Sequence, residues 1–175
     1  QDHRWQPPLA KAMHDAAVEA GIPANPDFNG ANQEGVGLYQ TTINKARRWS
    51  SARAYLKDAK RRKNLTVATS AHATRLIIEN GRAAGVEYLT PDGTRTARAR
   101  REVVVSGGVY GSPQLLMLSG LGPAEHLKKT GIEVVRDMPG VGSNLHDHFN
   151  TYIAYKCSQP VTMNDLVNSL PRRIW

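Results

Sequence analysis

The chain has 175 residues, 40% hydrophobic and 22% charged, with a formal net charge of +8 at pH 7. That is enough for one ordinary domain with a core, and no run approaches the ~20 apolar residues of a membrane span. The single cysteine, Cys157, excludes an internal disulfide and any CxxC metal or redox centre, which fits a reducing compartment. Gln1 is not an initiator methionine and nothing resembles a signal peptide, so the start reads as processed, trimmed or missing; a cytoplasmic location is expected, with membrane association left open.

Pro7-Pro8 introduce a helical pattern in which Leu9, Met13, Ala16, Ala17 and Ala20 share a face, and Gly21 sits where a helix-ending glycine belongs. Residues 22–31, rich in Pro, Asn, Asp and Gly, read as a loop. Residues 37–43 alternate as a strand does, and Ser50 or Ser51 is a candidate cap for a helix to about Arg61. Strands are expected at 65–69, 73–79, 84–89 and 94–99, with turns at Asn80-Gly81 and Pro91-Asp92-Gly93. The last three of these form an antiparallel layer. The Val103-Val104-Val105 run predicts a central buried strand over 102–106. Helices are expected at 113–118, where proline suits a first turn, and at 123–130. A short strand at 133–136 and a tight loop at 138–142 follow, and the pattern weakens after Asn150.

Positive charge clusters at Lys57 to Lys63 and at Arg95 to Arg101. Neither cluster carries interleaved aromatics of the base-stacking kind, so a solvated helix face and a hairpin edge are expected, and no nucleic-acid partner. His146 and His148 are two apart, as metal ligands on a strand can be, but no motif anchors a third ligand and no metal site is expected. His3, His14, His72 and His126 read as surface or helix-end residues. Asn64-Leu65-Thr66 has the pattern of a glycosylation sequon and is discounted without a secretion signal.

The most specific wording is Ser112-Pro113-Gln114-Leu115-Leu116-Met117-Leu118-Ser119-Gly120-Leu121-Gly122, placed after an apolar run and a Ser106-Gly107-Gly108 break. A strand, a small-residue turn and a helix start bring backbone close to a dinucleotide phosphate or ring. This stretch closely resembles the second hallmark motif of the glucose-methanol-choline (GMC) flavoprotein oxidoreductases. Further motifs resemble that family in order. They are Phe28-Asn29-Gly30 with Gln33-Glu34-Gly35-Val36-Gly37 and Tyr39-Gln40-Thr41; Arg48-Trp49-Ser50-Ser51-Ala52-Arg53-Ala54-Tyr55-Leu56; Asn64 to Val67 through Thr74-Arg75-Leu76; Gly85-Val86-Glu87-Tyr88; and Gly140-Val141-Gly142-Ser143-Asn144-Leu145-His146-Asp147-His148. Thr162-Met163-Asn164-Asp165 is similar to the next segment of the choline-dehydrogenase-like branch. Val109, Gly107, Ala46 and His146 depart from the usual wording.

The resemblance implies a mixed α/β (α+β) fold: part of an FAD-binding Rossmann-like domain with an interleaved substrate-domain portion. It divides the chain into residues 1–57 on the substrate side, 58–148 in the FAD-binding domain, and 149–175 opening the substrate-binding domain. It also implies FAD as cofactor and a small primary alcohol, choline-like, as substrate. Ala73 is then the position whose backbone N–H and C=O meet the adenine. Gly107 and Gly108 let the chain pass close to the cofactor, where a Cβ collides. Ser112 either caps free N–H groups or reaches a phosphate. Asn144 and His148 lie near the flavin end, His148 as a structural or a flavin-neighbouring residue.

Two family features are missing. None of Gly35-Val36-Gly37, Gly120-Leu121-Gly122 and Gly140-Val141-Gly142 has a third glycine three residues on, so the phosphate-cradling fingerprint is absent. The family's histidine pair near the C-terminus is absent too, so no catalytic residue is expected here. The chain therefore reads as the middle portion of a longer enzyme, inactive alone, with the remainder of that chain as its partner. The alternative is a non-catalytic remnant or binding module that keeps the fold and binds no flavin.

Overall fold

The structure is a computed structural model and describes residues 7–168. The elements in chain order are helix α1 (Pro8–Glu19), strands β1 (Ile43–Asn44) and β2 (Arg47–Arg48), a π-helical stretch Ala52–Leu56 running into helix α2 (Lys57–Ala59), strands β3 (His72–Glu79), β4 (Arg82–Thr90) and β5 (Gly93–Arg98), helix α3 (Gly108–Leu118), strand β6 (Leu121–Gly122), helix α4 (Ala124–Lys129), strand β7 (Arg136–Asp137) and helix α5 (Met163–Asn168). This is the mixed α/β content the sequence implies. The contacts divide it into two compact units, Thr66–Asn150 and the residues on either side of that stretch.

In the flanking unit, α1 begins at proline, which has no N–H to leave unpaired there. It ends as expected: Gly21 takes φ +92°, its N–H donates to the Val18 carbonyl, and the Ile22 N–H reaches back to that of Ala17. This is the Schellman closure, which a left-handed glycine makes cheap. The loop that follows is pinned by Asn25. Its side-chain amide donates to the Asn32 and Glu34 carbonyls (2.9 and 3.1 Å), and its Oδ1 accepts the Asp27 N–H.

The strand expected at 37–43 does not form. Only residues 43–44 and 47–48 pair, around Lys45 and Ala46, both at positive φ (49° and 56°). That is the backbone a two-residue hairpin turn demands, here held without glycine. The helix from Ser51 forms, but no side chain caps its start. Thr162 and Asp165 bracket the start of α5: the Thr162 N–H donates to the Asp165 carboxylate and the Asp165 N–H to the Thr162 hydroxyl, a reciprocal capping box.

In the central unit, β3, β4 and β5 form an antiparallel meander. Asn80 and Gly81 make the first turn at φ 52° and 76°, as their sequence predicts. Helix α3 lies against β3 and packs its far end near the short parallel pair β6–β7. Leu127 of α4 is fully buried and Leu76 of β3 is 6% exposed; they are the buried apolar side chains among the described residues. Strand β3 is an edge of its sheet, and the Ser119 hydroxyl covers it. Ser119 Oγ accepts the Leu76 N–H (2.7 Å) and donates to the Leu115 carbonyl (2.6 Å), so one buried side chain joins helix end to sheet edge. Glycine is compulsory at Gly120, which has φ +78° and where a Cβ would lie 2.5 Å from the Glu133 carbonyl oxygen.

Four further expectations need correction. Residues 102–106 are not a central buried strand: they pair with no strand among the described residues, and Val104 is 77% exposed. A buried strand needs neighbours on both sides, and an apolar run specifies only the wish for them. Residues 65–69 likewise form no strand, and the short strand expected at 133–136 is β7, Arg136–Asp137. Helix α3 starts at Gly108, five residues before Pro113, which sits inside it. The surface reading of His3 and the expected domain portion over 169–175 lie outside the described residues.

Candidate cofactor-facing site

Ala73 is exposed near the start of β3, opposite Tyr88. The register shifts between Ala73 and Arg75, so Thr74 bulges, and its hydroxyl donates to the Glu87 carbonyl and carboxylate (3.1 Å each). A bulge leaves backbone groups unpaired on one strand, which suits a position asked to offer main-chain N–H and C=O. Beside it, Arg75 donates to Glu87 (3.0 Å). That hydrogen bond, followed by the one from Thr74, holds the Glu87 carboxyl below its usual range, and the same pairing raises Arg75.

Gly107 and Ser112 are brought together at the start of α3. Ser112 Oγ accepts the Gly107 N–H at 2.9 Å, which ties the turn to the first part of the helix. A Cβ on Gly107 would sit 3.1 Å from the backbone of Gly111 and Ser112, so glycine there relieves the helix's own turn. Gly108 is different. It takes φ +82°, which L side chains resist, and nothing lies within 4 Å of where its Cβ would be. A group can therefore approach bare backbone at Gly108, and the first-turn N–H groups of α3 have no partner within the helix.

Asn144 and His148 lie in an exposed, irregular segment. Asn144 adopts φ 58°, a conformation asparagine tolerates, and the His148 N–H donates to the Asp147 carboxylate (2.7 Å). The preceding loop is docked on α3: a Cβ at Gly142 would lie 3.4 Å from Met117 Cε, and one at Gly122 would lie 2.8 Å from Met117 Cγ. Helix α3 thus carries the Gly107–Ser112 contact at its start and touches the Gly140 to Gly142 turn near its end. His146 and His148 are on no strand, and no group of three metal-ligating side chains occurs among the described residues.

A hollow of about 440 Å³ in the same unit involves none of the six candidates; it lies between β3 and the 118–120 and 132–135 segments, with Arg75, Glu87, Arg98 and Glu133 on its walls. Sequence reading missed two residues that organise the units, Asn25 and Ser119. The Asx turn at Asn25 had a signal in its Pro-Asn-Asp-Gly surroundings. The Ser119–Leu76 bond, 43 residues apart, had none.

The GMC oxidoreductase family model matches residues 1–150. The chain belongs to the GMC oxidoreductase family. It is 49% identical over 156 residues to an oxygen-dependent choline dehydrogenase of Rhizobium etli, covering 89% of this chain and 28% of the relative. It is 50% identical over 157 residues to the enzyme of that name from Burkholderia cenocepacia, again 89% and 28%. Among solved structures it is similar to pyridoxine 4-oxidase from Mesorbium loti, with a TM-score of 0.67, 34% identity, and coverage of 75% of this chain and 26% of that one. An FAD-dependent oxidoreductase from Chaetomium thermophilum matches with a TM-score of 0.67, 28% identity, and coverage of 76% and 24%. The chain spans less than a third of the length of the curated relatives it matches. No helix among the described residues is long and apolar enough to cross a membrane.

Proposed function

We propose that this chain is part of a flavoprotein alcohol dehydrogenase or oxidase that removes a hydride from a primary alcohol of the choline class, with FAD as its cofactor. The observation that carries the reading is 49% identity to a choline dehydrogenase across 89% of the chain. FAD, when bound, supplies the hydride-accepting ring, and the protein supplies binding, orientation and charge stabilisation. Ala73 offers main-chain groups to the adenine beside its bulge. Gly107 and Gly108 give close approach, Ser112 holds the turn through the Gly107 N–H, and Asn144 and His148 stand toward the flavin end. The open space at Gly108 and its φ of +82° fit a cofactor passing against bare backbone.

The central unit, Thr66–Asn150, is assigned to the FAD side and the flanking unit to the substrate side; the FAD-binding portion expected from the resemblance runs over 58–148. Exposed apolar residues on the central unit, Val104 and Phe149, and on the flanking unit, Tyr152 and Tyr155, support packing of each unit against the remainder of a longer chain.

The test is Gly108→Val in the flavin-loaded, longer protein. A β-branched residue at positive φ should impair FAD retention while most of the fold survives. The flavin-to-protein absorbance ratio should fall; an unchanged ratio in a soluble variant removes the assignment. The 175 residues alone should not oxidise choline, since a proton acceptor of the kind they lack contributes ~10²–10⁴-fold. Steady dye-coupled turnover by the isolated chain refutes that. A longer protein that purifies without flavin favours the non-catalytic alternative.

A further inference from the structure

The positive charge of this chain is not spread over it. Residues 45–63 hold nine lysines and arginines against one acidic residue, Asp58, a net +8. The rest of the chain carries fourteen basic and fourteen acidic side chains, so this one segment holds the whole excess. All nine basic residues are exposed. Among the described residues none of the nine is held in an ion pair; the pairs that exist lie on other segments. A face kept basic only for solubility would be laced with both signs, as the remainder of this chain is.

At one end of the segment the cations converge. Arg47, Arg48, Ser50 and Arg53 line an open hollow of about 430 Å³, with no acidic side chain on its walls. The backbone fixes them there. Arg47 and Arg48 form β2, closed by the Trp49 N–H donating to the Thr42 carbonyl (2.7 Å). The Ser50 carbonyl accepts the N–H groups of Arg53 and Ala54 (2.9 Å each). Three arginines lining one hollow gather like charge that an anion would offset, and planar guanidinium forks match phosphate oxygens two at a time.

We propose that Arg47, Arg48, Ser50 and Arg53 form a phosphate-binding site, with the cations from Lys57 to Lys63 adding longer-range attraction. The shared chemistry is a phosphate group, carried by a free phosphate compound or by a lipid headgroup. The site is independent of the flavin reading, since it lies in the flanking unit and shares no residue with the cofactor assignment.

The test uses the full chain with two probes, inorganic phosphate by calorimetry and co-sedimentation with phosphatidylcholine–phosphatidylglycerol vesicles against pure phosphatidylcholine. Two variants remove the same charge: R47Q/R48Q/R53Q at the hollow, and K60Q/R61Q/R62Q along the flank. The hollow variant should lose at least about tenfold in affinity, because it removes the charge-assisted bonds, and the flank variant should lose much less. Phosphate binding without vesicle binding assigns a free phosphate compound; arginine-dependent binding to the mixed vesicles assigns a headgroup. Equal loss in both variants, or no binding of either probe, overturns the proposal. If the hollow variant does not fold, Arg53→Lys takes its place: it keeps the charge but not the fork, and unchanged affinity there also overturns the site.

Discussion

Removing the Ser119 hydroxyl isolates the joint between α3 and the edge of β3. In Ser119→Ala the Leu76 N–H loses its acceptor at 2.7 Å, and both residues are buried (8% and 6% exposed). The Leu115 carbonyl loses one donor but, as a carbonyl in a helix, is the less demanding of the two groups. A buried donor left unsatisfied costs about 1–3 kcal/mol, more than the ~1 kcal/mol net worth of an ordinary hydrogen bond. The expected destabilisation is therefore about 1–3 kcal/mol, read as a lower urea midpoint at unchanged m-value. Hydrogen exchange at the Leu76 amide should accelerate by about 5- to 150-fold, the same free energy on a rate scale. Ser119→Thr, which keeps the oxygen, should retain most of the protection. A loss below about 0.5 kcal/mol, with Leu76 protection unchanged, would refute the edge-capping argument.

Leu127→Ala should cost about 2–5 kcal/mol in the urea midpoint, because the side chain is fully buried and the space it leaves is walled by the glycine-rich β6 turn. Glu87 gives a pH signature: its folded value lies below the ordinary 4.5, so its contribution is present above that pH and fades as pH falls through the folded value. Arg75→Gln should therefore weaken the fold near neutrality and matter less in acid; an equal effect at both ends of the titration contradicts the pairing.

What the sequence made legible was local. Gly21 marked a helix end because a single left-handed residue completes the closure. Asn80-Gly81 marked a hairpin because both residues accept positive φ. The Gly107-Gly108 break was recognisable, and its φ of +82° at the second residue is the geometry such a break requires. What failed was non-local. Val103 to Val105 has the apolarity of a buried strand, but it pairs with no strand among the described residues, so Val103 and Val105 are only half-buried and Val104 is exposed. Pro113 suits a first turn, yet α3 begins five residues earlier, where Gly108 and the Ser112 contact set its start. The candidate site was legible as motifs, yet which of its members touch was not, because Gly107 and Ser112 meet through a hydroxyl whose rotamer no spacing reveals.

The meander has two edges, and they are guarded differently. Strand β5 is open but carries Arg95 and Arg98 among small polar residues, which discourages another chain from adding to it. Strand β3 carries Leu76, Ile77 and Ile78 in eight residues and relies instead on the helix end that Ser119 fastens to it. Detaching that helix end does more than weaken the fold: it bares an apolar strand with unpaired backbone groups, the template on which copies of a protein stack into insoluble sheets. The small hydroxyl at the end of α3 is thus a safeguard of solubility as much as of shape.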